Sequence, residues 1–88
     1  MWSRPGMSAD LPAAVQGARH LVESTPGCLS FEFRRCVEEP ATFLLLVGWA
    51  TLADHTEGFR ASERFPEWRA ALEPLWERLP EVHHYEEV

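Results

Sequence analysis

A chain of 88 residues makes one domain with a single modest core, and its 45% apolar content with four Trp marks it as globular rather than disordered. Its net charge of -6, with no basic block, argues against nucleic acid and anionic membrane surfaces as partners. The longest apolar run, Phe43 to Val47, is too short to span a bilayer.

Lys, Asn and Ile do not occur, and all eight basic residues are Arg. The missing residues share A/T-rich codons, which points to a GC-rich bacterial genome. Schiff-base chemistry and Asn-dependent mechanisms are thereby excluded. The N-terminus lacks the apolar stretch of a signal peptide, so a cytoplasmic location is expected. Cys28 and Cys36 share one extended segment that holds them roughly 26 Å apart at ~3.3 Å per residue. They cannot bridge each other within it and read as two reduced thiols.

The first element is a helix. Ser8 or Asp10 can cap it and Pro12 fits its first turn. Leu11, Ala14, Val15, Ala18, Leu21 and Val22 recur on one face, and Thr25-Pro26-Gly27 ends it. From Cys28 to Cys36 the period changes to two, with Leu29, Phe31 and Phe33 on one side and Ser30, Glu32 and Arg34 on the other. Glu38-Glu39-Pro40 turns the chain into a second strand, Ala41 to Ala50, apolar on both faces and so expected to be covered on both sides. The pair reads as an antiparallel hairpin. Thr51-Leu52-Ala53-Asp54 has the form of a capping box and predicts a helix over 52–61. Phe65, Trp68, Leu72, Leu75 and Leu79 give a third helical stripe, bent at Pro74 and stopped by Pro80. Residues 82–88 read as a last strand, and a short strand is expected before residue 5. The order is that of a single α+β domain over residues 1–88.

Pro26-Gly27-Cys28-Leu29-Ser30-Phe31-Glu32 resembles the PGCLSYE signature of the antibiotic biosynthesis monooxygenase family. Trp49 at the hairpin end, HTEGFRASERFPEWR from His55 to Arg69, and the closing PEVHHYEEV are similar to the same family. The resemblance spans roughly residues 4–88. It implies a ferredoxin-like antiparallel sheet with helices on one face. It also implies a homodimer whose sheets face each other as an α+β barrel, the C-terminal segment reaching across. Relatives include cofactor-independent oxygenases of anthrones and quinols, haem-degrading enzymes and proteins without established activity, so the fold alone does not fix the chemistry.

Three departures bear on function. The family's first strand is full-length and central, whereas here only Met1 to Arg4 precede the Arg4-Pro5-Gly6 turn, which suggests a truncated start. The haem-degrading branch uses an Asn, a Trp and a His; this chain has no Asn, and Phe59 and Arg69 stand where that Trp and His belong, so haem degradation is not expected. Quinol-type members carry a His near the positions of Phe59 and Arg64, while His55 lies one helical turn earlier.

On a helix His55 and Phe59 share a face, close to Trp49 at the strand end. One reading makes this a site for an acidic phenol or hydroquinone. His55 removes its proton, and Arg60 stabilises the anion. The anion reduces dioxygen itself, without flavin or metal. Trp49, Phe59, Phe65 and Trp68 then form the walls, and Tyr85 reaches the pocket or the partner subunit. The other reading makes these aromatics plain core, His55 an ordinary helix residue and Arg60 a solvated cation. That reading goes with a non-catalytic dimer, either a small-ligand binder or a structural module. A metal at His83-His84 is disfavoured because adjacent strand residues face opposite sides, and His20 has no partner at ligand spacing.

Overall fold

The structure, a computed structural model, describes all 88 residues. Helix α1 spans Asp10–Glu23 and buries Leu11, Val15, Ala18, Leu21 and Val22 along one stripe, against the sheet and the second helix. Neither Ser8 nor Asp10 caps it. The amide of Leu11 donates to the Met7 carbonyl at 3.0 Å, so the preceding turn supplies the partner that a side chain would have given. The Ser8 carbonyl instead accepts from the Arg35 guanidinium at 2.6 Å.

After α1 the chain turns through Thr25-Pro26-Gly27-Cys28. The Cys28 amide donates to the Thr25 carbonyl at 3.1 Å, and Gly27 has φ +91°. That is the geometry of a turn with Pro second and a left-handed residue third, which glycine adopts without strain.

Strands β1 (Cys28–Arg35) and β2 (Phe43–Trp49) form the expected antiparallel hairpin, with Phe31 opposite Val47 and Phe33 opposite Leu45. The register shifts by one residue between Cys28 and Ser30. Leu29 is the extra residue of this bulge. It is 72% exposed rather than aligned with Phe31 and Phe33, because an inserted residue breaks the period of two. Phe31, Phe33, Phe43, Leu45, Val47 and Trp49 face the helices and belong to the core. On the other face Leu44 and Leu46 are 58% and 48% exposed. The expectation that β2 is covered on both sides is therefore not met within one chain.

Met1 to Arg4 lie between two neighbours. The Ser3 amide donates to Ala41 at 2.9 Å and the Phe43 amide to Met1 at 2.8 Å. On the opposite edge the Arg4 amide donates to Leu75 at 2.9 Å and the Glu77 amide to Trp2 at 2.8 Å. Backbone pairing thus runs from Trp76 through Ser3 to Thr42 and on to β1. The expected short first strand is present as these bridges and sits centrally.

The C-terminal third departs from the sequence pattern. Helix α2 covers only Arg64–Leu72, and a single 3-10 turn, Glu73–Leu75, follows with Pro74 at its start. Proline cannot donate to the helical ladder, so the chain leaves the helix there. Trp76 is extended, buried and paired with Ser3, while Leu79 is exposed. The strand expected over residues 82–88 does not form. Trp76 takes the place beside Met1–Arg4 and buries its large indole there, while Val82, Tyr85 and Val88, set among His and Glu, all stay exposed. No helix is long and apolar enough to cross a membrane.

Candidate functional site

The site begins with a backbone device at the end of β2. The Thr51 amide donates to Asp54 Oδ2 at 2.9 Å, and the Asp54 amide donates to Thr51 Oγ1 at 3.2 Å. This is the reciprocal capping box read from the sequence, with Asp in the usual Glu position. The Ala50 amide donates to the Gly27 carbonyl at 2.8 Å, which ties the turn before β1 to the segment after β2.

The helix that follows is not the α-helix expected over 52–61. After Leu52 and Ala53 it widens into a π-helix, Asp54–Phe59, closed by the Arg60 amide donating to the His55 carbonyl at 3.0 Å. Such widened turns occur often at functional sites. Here the winding lays the His55 ring over Phe59, with centroids 6.4 Å apart and planes 19° from parallel. Trp49 stacks on the same imidazole at 5.6 Å and 23°. Phe59 continues inward, edge-on to Phe65 at 5.7 Å and to Trp68 at 6.4 Å. Trp68 in turn meets Phe31 edge-on at 6.2 Å. These are the preferred geometries of aromatic pairs.

Burial divides the cluster. Phe59 and Trp68 are 4% and 5% exposed and are core residues, while Trp49, His55 and Phe65 are half-buried and reach the surface. Two shallow surface depressions, one lined by Ala61 to Arg64 and one by Arg4, Trp76, Leu79 and their neighbours, do not include His55 in their lining.

Nδ1 of His55 lies 2.8 Å from Nε2 of His84. This residue, delivered by the C-terminal segment, is absent from the set nominated by the sequence. Burial pushes the His55 imidazole below its ordinary pKa of 6.5, and the charges of His84 and Arg60 lower it further. His55 is therefore neutral at neutral pH, with one ring nitrogen engaged and Nε2 left for chemistry.

The remaining nominated residues are placed differently. Arg60 is exposed and directs its guanidinium over Phe65, 5.9 Å from the ring centroid, so only its charge reaches His55. Tyr85 is 87% exposed and takes no part in the aromatic cluster. His83 and His84 do not alternate across a strand, because no strand forms there; His84 turns to His55. Cys28 packs against the core beside Trp49, and burial raises its thiol pKa, leaving it protonated and a poor nucleophile.

Comparison with known proteins gives the family of the chain. A Bordetella bronchiseptica protein named as an antibiotic biosynthesis monooxygenase has a crystal structure that matches at TM-score 0.95 and 35% identity, covering 100% of this chain and 90% of that one. The Bacillus subtilis (strain 168) protein YczJ, itself uncharacterised, is 35% identical over 85 residues, 97% of this chain and 90% of the relative. A conserved protein from Methanosarcina mazei Go1 shares the fold at TM-score 0.83 and 16% identity, covering 99% of this chain and 85% of that one. Residues 1–71 match the family model described as antibiotic biosynthesis monooxygenase. The chain belongs to the antibiotic biosynthesis monooxygenase family.

Proposed function

We propose that the protein is a cofactor-independent monooxygenase that oxidises a small acidic aromatic, a quinol or an anthrone-like polyketide, with dioxygen. The observation that carries this reading is the half-buried His55, stacked on Trp49 at 5.6 Å and held at Nδ1 by His84 so that Nε2 stays free. Nε2 takes the acidic proton, and the electron-rich anion gives electrons to dioxygen. In an anthrone the ring CH2 becomes C=O, and the second oxygen atom leaves as water. Trp49 and Phe65 offer apolar surface to a flat ring, and Phe59 and Trp68 hold those surfaces in place from within. The positive charge of Arg60 favours the anion at longer range than a direct contact.

The same reading includes a ferredoxin-like homodimer. The pairing order Trp76, Ser3, Thr42, β1 matches that topology, and exposed Leu44 and Leu46 offer an apolar sheet face for a second copy.

One observation favours a second reading, a non-catalytic binding or structural dimer. The aromatics pack on one another, and Phe59 and Trp68 fill the space that an enclosed substrate pocket would need. Anaerobic titration with an anthrone separates the two. A base at His55 generates the coloured anion in the absence of dioxygen, and His55→Ala does not. Binding without anion formation contradicts the enzymatic reading.

A further inference from the structure

We propose that His84 is a positioning residue for His55, selecting its tautomer and carrying its proton to solvent. This rests on the reading of His55 as the base. The geometry is specific: the two imidazoles meet nitrogen to nitrogen at 2.8 Å, with ring centroids 5.0 Å apart and planes inclined by 52°. Such a separation fits one shared proton. It is too short for a metal ion in line between the nitrogens, which would need about 4 Å for two bonds of ~2.0 Å each.

The hydrogen bond on one imidazole nitrogen decides what the other can do. When His55 Nδ1–H donates to His84 Nε2, His55 Nε2 has a free lone pair and can accept a proton. In the opposite tautomer Nε2 already carries hydrogen and the base is dead. His84 therefore plays the part that a carboxylate plays toward a catalytic imidazole elsewhere, but without a permanent charge. It can also pass the proton on. The substrate proton moves to His55 Nε2, the Nδ1 proton moves to His84 Nε2, and exposed His84 releases its Nδ1 proton to water. One proton leaves the substrate and one reaches solvent, which leaves both imidazoles in the exchanged tautomer. The starting state returns when His55 Nε2–H gives its proton to the reduced oxygen, His84 Nε2–H returns a proton to His55 Nδ1, and His84 Nδ1 takes one from water.

The surroundings suit this role. Trp49 and Phe59 present neutral ring faces to His55, and Arg60 is the charged group of its own element that bears on it. No carboxylate is hydrogen-bonded to either imidazole, and neither is in an ion pair. His84 is thus the one polar side chain that orients the His55 ring. Its segment is exposed from Glu81 to Val88, so replacing it leaves the core intact.

The experiment is a pH titration of the ring nitrogens by long-range nitrogen–proton NMR on the substrate-free protein. Wild type is compared with His84→Ala and with His84→Gln, which keeps a hydrogen-bond acceptor. Expected are a His55 carrying hydrogen on Nδ1 in wild type and His84→Gln, a switch toward Nε2–H in His84→Ala, and a midpoint rising toward 6.5 in that variant. With a turned-over substrate, kcat falls on the order of tenfold to a hundredfold in His84→Ala and is largely recovered in His84→Gln. Identical His55 tautomer and midpoint in wild type and His84→Ala overturn the proposal. The NMR result does not depend on turnover, so loss of the coupling and loss of the monooxygenase reading are told apart.

Discussion

The Asp54 carboxylate occupies the space where Gly27 would carry a side chain. A Cβ on Gly27 would run into Oδ2, Cγ and Cβ of Asp54, the residue whose Oδ2 accepts from the Thr51 amide. The glycine of the PGC motif and the acid of the TLAD motif are thus two halves of one joint that sets where the His55 helix starts. Gly27→Ala adds left-handed backbone strain of about 1 kcal/mol and disturbs a cap worth about 1 kcal/mol. A loss of roughly 2–3 kcal/mol in urea unfolding is expected, against about 1 kcal/mol for Asp54→Ala, whose joint is weakened but not blocked. Equal losses in the two variants would place the cost elsewhere.

Acid should weaken the fold through His55. Its folded pKa lies below the unfolded 6.5, so the unfolded chain binds the proton more readily. The stabilising effect of keeping it neutral is present above 6.5 and is lost as pH falls through the window beneath that value. Unfolding midpoints measured from about pH 7 down to about pH 5 should fall more steeply for wild type than for His55→Gln. Parallel curves would mean that the imidazole titrates as it does in the unfolded chain.

Leu72 has no exposed surface and anchors α2 in the core. Its truncation to Ala should cost about 2–5 kcal/mol, the sum of lost transfer energy and the cavity left behind. Arg69, one turn earlier, pairs with Glu73 at 2.9 Å on the open surface. Arg69→Ala should stay within about 1 kcal/mol of wild type. Chemical denaturation of the two variants side by side checks the contrast.

The exposed sheet face gives a prediction about assembly. Light scattering at micromolar concentration should find a dimer for wild type. Leu44→Glu combined with Leu46→Glu should give a folded monomer, because charge placed on both leucines opposes burial of that face. A monomeric wild type, or an undisturbed dimer in the double variant, would contradict the sheet-face interface.

Much of this fold is legible in the sequence. Period-two alternation marks the hairpin, an apolar stripe marks α1, and the Thr51–Asp54 spacing marks the cap. The bulge is not legible, because an inserted Leu29 looks like an ordinary member of the alternation and only the pairing with Trp49 and Gly48 exposes the shift. The π-helix leaves no periodic signature over six residues. The stripe from Phe65 to Leu79 extrapolates past Pro74, where the chain has already become extended. At the site the close partners Trp49, His55 and Phe59 follow from short-range spacing. His84 lies 29 residues from His55 and arrives on a segment without regular structure, so no periodicity could place it. Arg60 adjoins Phe59 in sequence, yet its side chain leaves over Phe65.

Dioxygen uptake by the metal-free wild-type protein, with a panel of hydroquinones and anthrones and His55→Ala alongside, bears most directly on the proposed chemistry. Uptake with at least one substrate, abolished in His55→Ala while the variant keeps its oligomeric state, is the expected result. Undiminished uptake in His55→Ala, or none by wild type across the panel, would contradict it and leave the aromatic cluster as packing.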